Sequence, residues 1–126
     1  YERAIQDFNK AISLNPEDIL AYHSRGNAYY GFQKYEKAIQ DHDEVIRRSQ
    51  QNGFSFAYAS YSNRGLAYYG LGKYEKAIQD YNEAIRLNPR DANSYFGRGR
   101  AYKAIGKSIE AEREFASAKE LGYDGP

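Results

Sequence analysis

The sequence predicts an all-α chain built as an array of stacked helical hairpins, and three observations predict it. One block of text recurs: YERAIQDFNKAISLNP (1–16), YEKAIQDHDEVIRRSQ (35–50), YEKAIQDYNEAIRLNP (74–89) and, more weakly, SIEAEREFASAKELGY (108–123). A second block alternates with it: YHSRGNAYYGFQK (22–34), YSNRGLAYYGLGK (61–73) and YFGRGRAYKAIGK (95–107). Inside the blocks apolar residues fall at three- and four-residue steps, as in Tyr74, Ala77, Ile78, Tyr81, Ala84 and Ile85, the period of an amphipathic helix.

The breaks between blocks have a chemistry of their own. Gly70-Leu71-Gly72 interrupts one helix and permits the left-handed conformation that ends it. Asn88-Pro89 closes a unit and opens the next, with Asn suited to an N-cap, Pro to the first helical position and Asp91 to the first turn. Taken in order, residues 1–14 form a second helix without its first, and Asn15-Pro16-Glu17-Asp18 starts the next unit. Helices are expected at about 17–31, 35–49, 55–70, 73–87, 90–104 and 107–121. Gly26 and Gly65 are 39 residues apart, whereas Gly65 and Gly99 are 34 apart. The five extra residues fall near Gln50-Gln51-Asn52-Gly53, which has no apolar periodicity and reads as a lengthened turn.

Isoleucines seven apart, Ile5/Ile12, Ile39/Ile46 and Ile78/Ile85, mark a stripe on three of the second helices that should face the following repeat. Glu112 and Lys119 take those places in the fourth, so that end reads as a cap. At the other end Ala4, Phe8 and Ala11 form a face that a preceding helix would cover in a whole repeat. Weak self-association through the N-terminal helix is therefore expected.

Composition narrows the function classes. The chain has 126 residues, small for a globular core, but stacking buries each helix pair against its neighbours. Eighteen basic and seventeen acidic residues are interleaved and leave a net charge of +1, so no nucleic-acid partner is expected. No apolar run approaches membrane-spanning length, and no membrane partner is expected. The absence of cysteine leaves the redox compartment unread, with the cytoplasm as the expectation. Gly106-Lys107-Ser108 is not a phosphate-binding loop, because Ala101 stands where a further Gly is needed and no strand precedes it. The two histidines, His23 and His42, fall on different helices with no cysteine to join them. Neither a metal nor another cofactor is expected. His42 replaces Phe8 and Tyr81 at an inward aromatic place and reads as core. No nucleophile–base arrangement emerges, so no catalytic residue is assigned and the chain does not read as an enzyme.

A helix–turn–helix unit recurring near 34 residues is the tetratricopeptide period. With Tyr61-x2-Arg64-Gly65-x2-Tyr68, then Ala77-x3-Tyr81, Ala84 and Pro89, the chain resembles the tetratricopeptide repeat (TPR) family over essentially its whole length. Arg replaces the family's usual Leu before Gly, and Tyr stands for Trp. The resemblance implies a right-handed α-α superhelix of about three and a half repeats and seven helices. It forms a single array over 1–126: a half repeat (1–16), repeats at 17–52 and 53–89, and a capping repeat at 90–123. It also implies a non-catalytic protein-interaction module that binds a peptide or protein segment in a concave groove lined by the first helices. On this chain the lining would be His23, Asn27, Tyr30, Ser62, Asn63, Leu66, Tyr69, Asn93, Phe96, Arg100 and Lys103. The alternative is a structural segment of a longer array with no groove ligand. Asn27 and Asn63 match the asparagines of the chaperone-binding class, but His23, Asn93 and Gly97 stand where its three cations belong, so its carboxylate clamp is not expected.

Arg25, Arg64 and Arg98 each precede the unit's Gly, and sixteen residues later stand Asp41, Asp80 and Glu114. These are expected to pair across each hairpin as structural staples, with Arg64→Leu costing less than Asp80→Ala.

Overall fold

The computed structural model describes residues 2–52 and 57–125. Among them are seven helices and no strand: α1 (Glu2–Leu14), α2 (Ile19–Gly31), α3 (Tyr35–Asn52), α4 (Ala57–Gly70), α5 (Tyr74–Leu87), α6 (Ala92–Ala104) and α7 (Ser108–Glu120). Each helix packs on the next in sequence. In addition α2 touches α4 and α4 touches α6, whereas α3 and α5, and α5 and α7, do not meet. The first helices of successive hairpins therefore lie closer together than the second ones, which places α2, α4 and α6 on the concave side.

The helix starts differ from expectation for a local reason. Asn15 and Asn88 are not N-caps; each opens a turn with Pro at its second position. The Asn15 and Asn88 carbonyls accept from the Asp18 and Asp91 N–H groups at 3.1 Å. Their side chains accept from the Glu17 and Arg90 N–H groups at 3.2 and 3.3 Å. The caps are Asp18 and Asp91, and Asp18 accepts from the Ala21 N–H at 3.3 Å. Helices α2 and α6 consequently begin two residues later than the Pro-first reading expects.

The helix exits follow one pattern. Gln33 and Lys34 N–H groups bond back to the Tyr30 and Tyr29 carbonyls, as Gly72 and Lys73 bond to Tyr69 and Tyr68, and Gly106 and Lys107 to Lys103 and Tyr102. The left-handed residue is Gly72 (φ 77°) or Gly106 (φ 83°), but in the first hairpin it is Gln33 (φ 61°). The extra residues after Ser49 do not open a lengthened turn at Gln50 to Asn52. Helix α3 runs through them and reaches 18 residues against 14 in α5, because Gln is a competent helix former that needs no apolar face in solvent. Gly53, and the expected start of α4 at 55, lie outside the described residues.

The core is made of small residues and rings. Ala38, Ala67, Ala77, Ala84 and Ala101 are fully buried where helices approach closely, and Tyr81 is the largest fully buried side chain. Each unit's Gly seats a ring sixteen residues later: a Cβ on Gly26 would lie 2.8 Å from His42 Nε2, on Gly65 3.2 Å from Tyr81, and on Gly99 2.7 Å from Phe115. Along the isoleucine stripe Ile46 is buried and Ile5, Ile12, Ile39, Ile78 and Ile85 are half-buried, while Glu112 and Lys119 are exposed. On α1, Ala4, Phe8 and Ala11 are half-buried.

Candidate functional site

The concave side carries two adjoining clefts between α4 and α6. Ser62, Asn63, Leu66, Asn93, Phe96 and Arg100 line a cleft of about 420 Å3. Tyr69, Phe96, Arg100 and Lys103 line its neighbour, of about 410 Å3. His23, Asn27 and Tyr30 sit one helix earlier, on α2, outside both clefts. Two residues absent from the sequence reading complete the first cleft. Tyr58 enters from the start of α4, and Tyr123 folds back so that its ring stacks on Phe96 at 4.3 Å and 18°. The signal for Tyr123 was an aromatic directly after the left-handed Gly122, where the earlier turns carry Lys34, Lys73 and Lys107.

The polar groups form a short ladder across the first helices. Asn63 Nδ2 donates to Asn27 Oδ1 at 3.0 Å. That bond leaves the Asn27 amide N–H groups as donors and the Asn63 carbonyl as an acceptor, side by side. Ser94 accepts from the Ser62 hydroxyl at 3.1 Å, its own proton going to Asp91, and His23 Nδ1 lies 3.1 Å from Ser60 Oγ. Burial lowers the His23 pKa. Behind it His42 is fully buried, edge-on to His23 at 5.4 Å between ring centroids, and neither of its ring nitrogens has a hydrogen-bond partner among the described residues. Burial first, then repulsion from His23 and Arg64, holds its pKa down at about 3. The site has a strong aromatic content, with Tyr30 on Tyr35 and Tyr69 on Tyr74 at 5.5 and 5.3 Å. Among the described residues no cluster of three or more His, Cys, Asp or Glu side chains could hold a metal.

Away from the groove, the three arginines each face their acid. Arg25 donates two bonds to Asp41 and Arg64 two to Asp80, at 2.8 and 2.7 Å in both cases, and Arg98 bonds Glu114. Each also reaches the preceding second helix, at Asn9, Asp43 and Asn82 respectively. Every guanidinium thus ties three helices together, and tyrosine rings flank it: Tyr22 and Tyr29, Tyr61 and Tyr68, and Tyr95. This geometry argues for the opposite order of mutational cost to the one expected. Asp80 is the more buried partner, its side chain 7% exposed against 20% for Arg64, and burial raises its pKa despite the pull of Arg64. Removing Arg64 strands that acid, whereas removing Asp80 leaves Arg64 with Asp43 and two rings.

Comparison with known proteins agrees with this architecture. A profile described as TPR repeat matches residues 1–31 and 65–106, and one described as tetratricopeptide repeat matches residues 19–51. The chain belongs to the tetratricopeptide repeat family. The family is one of typically non-catalytic modules for protein interaction. A curated relative, the Hsp70-Hsp90 organizing protein of Triticum aestivum, is 35% identical over 51 residues, which span 40% of this chain and only 9% of that protein. Among solved structures, the second TPR of Spaghetti (RPAP3), bound to an HSP90 peptide, superposes with a TM-score of 0.74 at 29% identity, covering 96% of this chain and 94% of that one. Its first TPR, bound to the same peptide, reaches 0.77 at 28%, over 85% and 81% of the two chains. A crystal structure of MamA reaches 0.81 at 26%, covering 93% of this chain and 66% of that one.

Proposed function

We propose that the concave face captures an extended peptide or protein segment, with α2, α4 and α6 as the binding surface. The observation that carries this reading is the Asn27–Asn63 bridge beside the aromatic cleft. A free amide donor and a free carbonyl acceptor, side by side, match the alternating acceptors and donors of an extended backbone. Tyr58, Tyr69, Phe96 and Tyr123 supply rigid apolar area for side chains at little entropic cost. The peptide held by the two RPAP3 modules supports a peptide ligand for this chain as well. It does not carry over the terminal-carboxylate clamp, because His23, Asn93 and Gly97 lack the required cations.

Asn63→Ala tests the reading. Loss of the Asn63 amide should weaken a groove-binding peptide by about 1–3 kcal/mol with circular dichroism unchanged. An Asn27/Asn63 double alanine variant that binds its partner with unaltered affinity would remove the groove from consideration and leave the array as a structural segment.

A further inference from the structure

Five arginines among the described residues are half-buried: Arg25, Arg48, Arg64, Arg98 and Arg100. Four of them hold a carboxylate: Asp41, Glu44 and Glu17, Asp80 and Asp43, and Glu114. Among the described residues Arg100 holds none, and its Nε is fully buried without a hydrogen-bond partner. The guanidinium carbon instead lies near two rings, 4.5 Å from the Tyr69 centroid and 5.6 Å from that of Phe96. It stands on the inner helix α6, in the place that Asn27 occupies on α2 and Leu66 on α4, and it lines both clefts. Among the described residues Asp91 is the one acid lining these clefts, and it is occupied by the Ser94 hydroxyl at 2.6 Å. Lys103 adds a second positive charge to the farther cleft, whose remaining wall is Tyr69, Phe96, Ala104 and Phe115.

We propose that Arg100 is a subsite for an acidic side chain of a bound peptide, with the neighbouring apolar cleft taking the bulky side chain next to it. The proposal rests on the groove reading above and adds the charge of the ligand and its point of contact. A cation that has lost water on one edge and gained only ring faces is under-compensated, and a carboxylate on its open edge forms the charge-assisted bonds it lacks. The guanidinium is planar by its own delocalisation and already packs against two rings, so less side-chain entropy remains to be lost on binding. This subsite does not coincide with a terminal-carboxylate clamp, since the positions of that clamp carry no cation here. The near-neutral chain, at +1, disfavours a polyanion.

The test uses the intact chain and two acetylated, amidated probe peptides with one Leu/Phe frame, carrying Glu or Gln at alternate positions. Fluorescence anisotropy should give the Glu peptide an affinity about tenfold or more above the Gln peptide. Arg100→Gln should erase that ratio, bringing the Glu peptide to the Gln peptide's affinity in the variant. NMR of the arginine Nε–H groups supplies a second readout that needs no variant. Millimolar N-acetylglutamate amide should move the Arg100 signal, and N-acetylglutamine amide should not. Discrimination that survives Arg100→Gln overturns the proposal, as does an Arg100 signal that the glutamate probe leaves unmoved. A Gln peptide with a free C-terminal acid that matches the Glu peptide would assign Arg100 to a chain terminus instead. Stronger binding of single-stranded oligothymidine would replace the peptide with a nucleic acid. Where Asn63→Ala weakens both peptides and Arg100→Gln weakens neither, the groove stands and the subsite falls. If neither peptide's signal responds to the double Asn variant, the groove reading itself fails.

Discussion

Acidification should weaken this fold, and His42 contributes a share that one substitution isolates. The imidazole is fully buried on Gly26, with both nitrogens unpartnered and His23 edge-on to it. Its pKa is about 3 in the folded chain, against 6.5 ordinarily, chiefly through burial. Between those values the unfolded chain binds a proton that the folded chain refuses. Stability is therefore fully retained above about pH 6.5 and falls as pH drops toward about 3, at roughly 1.4 kcal/mol per pH unit. From about pH 7.5 to about pH 5 the loss assigned to His42 is about 2 kcal/mol. His42→Phe removes the titrating group and keeps a ring, as Phe115 does over Gly99 and Tyr81 over Gly65. Urea unfolding followed by circular dichroism, for both chains at several pH values, isolates the effect. His23 and the carboxylates titrate in both, so they cancel in the difference. The variant should be more stable at neutral pH by about 1–2 kcal/mol, since two unpaired polar atoms leave the core, and the gap should widen by about 2 kcal/mol at pH 5. His42→Leu guards against strain from the larger ring. Parallel stability–pH curves for all three chains would refute the reasoning.

Three further outcomes follow from the packing. Arg64→Leu should destabilise by about 3–5 kcal/mol and Asp80→Ala by about 1–3, because only the first leaves a buried charge unpartnered; chemical denaturation in the opposite order would contradict the three-helix tie. Gln33→Gly should stabilise by about 0.5–1 kcal/mol, the left-handed penalty less the added entropy of the unfolded glycine, and a loss on melting would show that the Gln33 side chain compensates. Gly97→Ala should cost about 1–3 kcal/mol, since its Cβ would fall 2.5 Å from the Tyr81 ring. Near-UV circular dichroism should report the displaced tyrosine, and an unchanged spectrum with full stability would refute the close contact.

The family, the seven helices and the partners of the three arginines were legible in the sequence, because a repeated text imposes repeated geometry. A sixteen-residue step that joins Arg64 to Asp80 joins Arg25 to Asp41 and Arg98 to Glu114 for the same reason. Periodicity of three and four residues likewise fixes which face of each helix is buried before any neighbour is known. Departures from the repeat were where reading failed. The residues after Ser49 lack apolar spacing, yet an exposed helix end needs only backbone propensity, and α3 simply continues. Asn15 and Asn88 have the composition of caps, but the turns they open put Asp18 and Asp91 at the N-cap positions, where Asp18 accepts from the Ala21 N–H and Asp91 takes the Ser94 hydroxyl instead. The groove shows the same division. Eight of the eleven expected lining residues border the two clefts and His23, Asn27 and Tyr30 do not, and the depth of the clefts was not legible at all. The stacking of Tyr123 on Phe96, the bond between Asn27 and Asn63, and the isolation of Arg100 from every carboxylate among the described residues are relations between helices dozens of residues apart in the chain or between a tail and a helix face. Sequence spacing governs neighbours within one hairpin; contacts between hairpins depend on how closely small residues such as Ala67 and Ala101 let the helices approach, and only the packed array decides that distance.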